Sequence, residues 1–112
     1  MKYFVNEKER KASGSTYYFE FQKGEYRNNP WLEDSLCLYA DLFDKLGLFQ
    51  LFSASLGIFD YYGPTNVVNK ENWNTIVQKS KENELWKGVI DELTPWAENC
   101  FIKYCCFTIC GI

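Results

Sequence analysis

The sequence predicts an α+β fold: a small antiparallel or mixed sheet, built from an N-terminal hairpin and a central C-terminal strand, packed with about three helices. Three observations carry this reading. Tyr17, Phe19 and Phe21 alternate with Thr16, Tyr18, Glu20 and Gln22, as a half-buried strand does. Apolar residues recur at helical spacing in three segments after Asn29. The stretch FIKYCCFTIC is apolar on both parities, the pattern of a strand with neighbours on both sides.

Taken in order, Lys2–Asn6 and Ser15–Gln22 read as strands around the charged connection EKERKASG and are expected to pair as a hairpin. After the polar KGEYRNN, Asn29-Pro30 is a helix-start signal, because proline lacks an N–H that the first turn could not pair anyway. That helix is expected to run to Leu46, with Gly47 ending it. On a helical wheel Leu32, Leu36, Tyr39, Leu42, Phe43 and Leu46 share one side. Glu33, Asp34, Asp41 and Asp44 fall within about 100° of each other on the opposite side. LFQLFSASLGIFDYYG is apolar with breaks at Gly57 and Gly63-Pro64, and reads as one or two short strands, with a helical start near Leu48 as the alternative.

Asn69 caps the next helix, in which Trp73, Ile76, Val77 and Ser80 recur at helical spacing. A third helix is expected from Glu84 to Leu93, with Thr94-Pro95 interrupting it before a last turn through Trp96 to Asn99. No repeat, low-complexity tract or linker divides the chain, so residues 1–112 are expected to form a single domain. With 46% apolar and 19% aromatic residues, it has ample material for one core.

The cysteines at Cys105, Cys106 and Cys110 are read as small core residues, since free cysteine is among the most buried residue types. Successive strand residues point to opposite faces, and Cys106 and Cys110 would sit about 13 Å apart in a strand. That geometry suits neither one zinc ion nor a local disulfide.

The chain contains no histidine, which removes the usual general base and the Ser-His and Cys-His nucleophile pairs. It also lacks GxxxxGK[ST] and GxGxxG loops. The expectation is a protein that is not an enzyme and holds neither cofactor nor metal. The runner-up catalytic reading is a carboxylate-dependent enzyme, which would need acids gathered in a cleft.

Net charge is −3, but residues 31–112 carry six lysines against eleven acids. A partner for that region should be basic, and nucleic acid should be repelled. The start MKYFVNEKERKASG has no apolar run of signal-peptide length, and no stretch would span a bilayer. Five cysteines, an odd number, argue against a disulfide framework. A cytoplasmic protein that engages no membrane, as a monomer or weak dimer, is therefore expected.

The combination of a short acidic chain, an acid-faced helix, and FDYYGPTNV followed by the Trp73 helix and a hydrophobic end strand resembles the immunity proteins of bacterial contact-dependent growth inhibition and related polymorphic toxin systems. The resemblance implies binding to one cognate toxin domain, often a nuclease, whose active site or essential surface is blocked. The residues expected at such a contact are Glu33, Asp34, Asp41 and Asp44, with Asp60, Tyr61 and Tyr62 at the rim. The alternative is a small structural or regulatory adaptor acting as a homo-oligomer.

Overall fold

The computed structural model describes residues 1–112. In chain order the elements are β1 (Val5–Asn6), α1 (Glu7–Ser13), β2 (Tyr18–Lys23), β3 (Leu36–Tyr39), α2 (Ala40–Lys45), α3 (Leu48–Leu56), β4 (Asn66–Asn69), α4 (Lys70–Ser80), α5 (Glu84–Lys103) and β5 (Cys106–Cys110). The class is α+β, as expected, with five helices of which α3, α4 and α5 are the long ones. The strands form one sheet in the order β1-β3-β2-β5-β4, every neighbouring pair antiparallel. No helix is long and apolar enough to cross a membrane.

Strand alternation gives the sheet two unlike faces. On one face Phe19 stacks on Phe43 of α2 at 3.8 Å between ring centroids, and Phe21 meets Phe52 of α3 at 6.2–6.3 Å together with Phe107. Phe107 of β5 also takes the edges of Trp73 from α4 and Trp96 from α5. Of the 24 buried apolar residues, all but Cys37 and Cys106 join in one cluster of 22 on this side. Burying each such aromatic contributes roughly 2–3 kcal/mol, and offset or edge-on ring pairs add to that.

The other face is polar and still buried. Glu20, Gln22 and Thr108 are at most 1% exposed, and the segment from Gly24 to Ser35 folds back over them. Glu20 anchors this cover. One carboxylate oxygen accepts from the Trp31 N–H at 2.8 Å and from the Gln22 amide at 2.9 Å; the other accepts from the Leu32 N–H at 2.7 Å and from the Ser35 hydroxyl at 2.6 Å. Four donors occupy the acceptor directions of one carboxylate, which is how a buried charge without a contacting cation is tolerated.

This anchor overturns the helix expected from Asn29 to Leu46. The Trp31 and Leu32 amides that would enter a first turn point instead into Glu20, and Trp31 takes a left-handed φ of 61°. Leu36–Tyr39 then becomes the strand between β1 and β2, with Leu36, Cys37 and Leu38 buried on both faces. Only Ala40–Lys45 of the expected helix is helical. The N-terminal segments do not pair as a hairpin either: EKERKAS is α1, started by a capping box in which Asn6 and Glu9 exchange side-chain and backbone hydrogen bonds at 2.8 and 2.9 Å. β1 consequently pairs with β3, not β2.

Two more segments depart from the first reading, and at Leu48 the helical alternative is the one that forms. LFQLFSASL is helical, burying Leu48, Leu51 and Phe52, a spacing that a nearly continuous apolar run also contains. The helix α5 continues through Pro95 to Lys103, because Pro95 lies on the solvent side, where the carbonyl it leaves unpaired can be hydrated. The expected α4, in contrast, forms as read, with Asn69 at its cap and Trp73 and Ile76 buried. β5 also lies inside the sheet, flanked by β2 and β4, although it starts at Cys106 because α5 occupies Phe101–Lys103.

Replacing Glu20 by alanine strands two backbone amides and a hydroxyl, and should cost on the order of 3 kcal/mol or more in urea unfolding. Hydrogen exchange at the Trp31 and Leu32 amides should accelerate in that variant. Unchanged protection at both would show that the loop is held by something else.

Candidate functional site

One end of the sheet carries a tyrosine and aspartate patch that is built by three devices. The first is Asn66, buried in β4, whose side chain closes the loop before it. Its oxygen accepts from the Asp60 N–H at 2.7 Å, and its amide donates to the Asp60 carbonyl at 2.8 Å and the Ile109 carbonyl at 3.1 Å. The second is the chain end: Gly111 N–H donates to the Gly63 carbonyl at 2.8 Å and Ile112 N–H to the Tyr61 carbonyl at 2.9 Å. A Cβ at Gly111 would lie 2.2 Å from the Tyr61 carbonyl oxygen, so only glycine lets the two backbones approach.

The third device is Tyr61 itself. Its ring packs edge-on against Phe19 at 5.1 Å and Phe43 at 6.0 Å, and its hydroxyl donates to both Asp44 oxygens at 3.0 and 3.1 Å. Burial, and then the hydrogen bond to Asp44, push the Tyr61 hydroxyl up to about 12. It therefore remains a donor at neutral pH, and the loop, the core and α2 are joined through it.

Around this frame lie the exposed side chains. Tyr62 is 77% exposed and sits 5.0 Å from Tyr61, with Asp60 accepting from the Tyr62 N–H at 3.0 Å. Tyr39 takes edge contacts from Tyr17 at 5.7 Å and Tyr18 at 5.2 Å where β2 meets β3, and Asp41 follows two residues on at the start of α2. Asp41, Asp44 and Asp60 are exposed, and Lys45 is the base next to them on α2.

Of the residues singled out in the sequence, Asp44, Asp60, Tyr61 and Tyr62 come together here, with Asp41 on the same helix as Asp44. Glu33 and Asp34 do not, because the helix that was to align all four acids is not formed. Asp34 lies beyond the Lys23 end of β2, about 16 Å along the strand from Tyr18. Its carbonyl accepts from the Trp96 indole at 2.9 Å, and Lys23 and Lys103 surround the same hollow. Glu33 shares a hollow with Lys8 and Lys11. Both acids thus share a hollow with two lysines each, whereas the patch acids have Lys45 alone beside them on α2. Tyr17 and Tyr39 belong to the patch and were missed; their cross-strand partnership depends on a strand that the helical spacing concealed.

The cysteines divide. All five are free, and Cys37, Cys100 and Cys106 are buried while Cys110 is half-buried. Cys37 and Cys110 stand directly across from Glu20 on its two neighbouring strands. Burial, and then the Glu20 charge, push both thiols up to about 12. Cys105 is not a core residue: α5 ends at Lys103, and Cys105 lies exposed in the bend before β5. No group of three or more acids and cysteines is placed to hold a metal ion. No protein-family model matches this chain, and neither a curated protein nor a solved structure does.

With a thiol-alkylating reagent near pH 8, Cys105 should label rapidly and Cys37, Cys100 and Cys106 only on unfolding, which peptide mass spectrometry resolves; early labelling of Cys37 would contradict its placement. A raised pKa keeps the folded thiol protonated after the unfolded one has ionised. Stability from Cys37, Cys110 and Tyr61 is therefore fully present below about pH 8 and is lost progressively between about pH 9 and 12. Urea titrations across that range should show the decline, and Tyr61→Phe should remove the part above about pH 10.

Proposed function

We propose that this is a cytosolic immunity-type protein that binds a basic toxin domain, of the nuclease class, and covers its substrate groove by docking. The observation that carries this is the convergence of exposed Asp41, Asp44 and Asp60 with Tyr17, Tyr39 and Tyr62 on one rigidly braced end of the sheet. A groove that holds phosphates is positively charged, so an acidic surface is drawn to it and occupies the place of the substrate backbone. Tyrosines suit such a contact because they add large apolar area and a polar tip while ordering only two torsions.

Bracing matters as much as charge. Asn66, Gly111 and Tyr61 hold the patch before any partner arrives, so little loop entropy remains to be lost on association. Glu33 and Asp34, among their lysines, fall outside the proposed contact. The protein acts by occupancy, and no residue is assigned a catalytic role.

The test uses the toxin domain encoded beside this chain's gene. Reversing Asp41, Asp44 and Asp60 to lysine should slow association about tenfold or more at low salt, with the effect shrinking as salt rises. Reversing Glu33 and Asp34 should change it about twofold or less. Equal sensitivity of the two sets in stopped-flow mixing, or no binding to the toxin domain at all, would remove this reading.

A further inference from the structure

Beside the patch, a pocket of about 170 Å³ opens on the polar face of the sheet, walled by Tyr18, Tyr26, Trp31 and Tyr62 over Glu20 and Cys110. No lysine or arginine lines it. Pockets for whole metabolites run to roughly 300–1,000 Å³, so this one is sized for a single side chain or head group.

Its charge is negative and unbalanced. The nearby Arg10 guanidinium is held by Glu7 through paired hydrogen bonds, so those two charges cancel. Glu20 contacts no cation, and only neutral donors surround it. A carboxylate buried beneath four aromatic rings therefore leaves a site that attracts positive charge.

The kind of cation follows from what Glu20 can still offer. Its acceptor directions are filled, so an incoming ammonium would lose water and gain few hydrogen bonds from it. A guanidinium is more weakly hydrated, planar, and stacks on aromatic faces. The same preference is already displayed within the molecule, where Arg10 lies 4.0 Å from the centre of the Trp31 ring. Trp31 is also fixed in its left-handed conformation by the Glu20 hydrogen bond, so the wall is set before a ligand enters.

We propose that this pocket is a guanidinium-binding site; on the docking reading above, on which this part rests, it receives an arginine side chain of the basic partner. Tyr62 belongs to both the patch and the pocket wall, which makes the two one continuous surface.

The experiment titrates the protein with N-acetyl-arginine methylamide and with its lysine and citrulline counterparts, following the Trp31 indole N–H resonance, which Trp31→Phe assigns. The arginine probe should shift that resonance with a dissociation constant on the order of millimolar, about tenfold or more below that of neutral citrulline. The lysine probe should bind more weakly than arginine. Tyr62→Ala, at an exposed position, should weaken the arginine response several-fold with an unchanged circular dichroism spectrum. Equal responses to arginine and citrulline, a lysine response as strong as arginine's, or indifference to Tyr62→Ala would each overturn the assignment. The titration needs no partner, so an arginine-selective shift in a chain that fails to capture the toxin domain sinks the docking reading alone. Tight capture that neither the arginine probe nor Tyr62→Ala disturbs sinks the pocket alone.

Discussion

A single buried carboxylate, Glu20, organises the side of this molecule that has no hydrophobic core. Ionised groups are costly to remove from water, and Glu20 is removed almost completely, so its four hydrogen bonds are a condition of the fold. Meeting that condition draws Asn29–Ser35 across the sheet, and the strand that follows is thereby delivered into register beside β2. Burial, reinforced by this charge, pushes the Cys37 and Cys110 thiols on either side of it up to about 12. Placement of loop, strand and thiols all descend from one side chain.

The opposite face is held by ordinary means: stacked and edge-on aromatic rings beneath four helices. The arrangement is also tied off at its edges. Glu92 of α5 accepts three successive backbone N–H groups from Lys2, Tyr3 and Phe4, fixing one end of the chain. Asn66 and Gly111 fix the other end against the loop from Asp60 to Gly63. Surface residues anchored at both termini can present a pre-formed contact, which lowers the entropy lost on binding.

Charge distribution tells the same story at larger scale. Glu33 and Asp34 share their hollows with lysines, while Asp41, Asp44 and Asp60 lie at the end of the sheet that also carries Tyr17, Tyr39 and Tyr62. On the docking proposal, neighbouring charges of one sign along a continuous surface would reinforce each other's field, whereas the same charges scattered evenly would serve solubility alone.

Some of this was legible without a structure because the signals are local. Asn69 followed by Trp73 and Ile76 specifies α4 by cap and spacing alone, the alternation from Tyr17 to Gln22 marks β2, and the two-sided apolarity of CFTIC marks an interior strand. Tyr61, Tyr62 and the acids Asp44 and Asp60, singled out by residue type, are brought together by the fold. Other decisions belonged to tertiary structure. Leu36–Tyr39 fits a helical spacing, yet becomes a strand because Glu20, far back in the chain, captures the amides that would have started the helix. The run from Leu48 to Leu56 is apolar at either period, and packing against Phe21 and Phe43 selects the helix. Grouping of the acids followed from those choices, since a wheel drawn on an unformed helix places charges that the folded chain holds at opposite ends of a strand. Local spacing can specify what a segment prefers, but a buried charge that must find its donors decides between preferences of nearly equal strength.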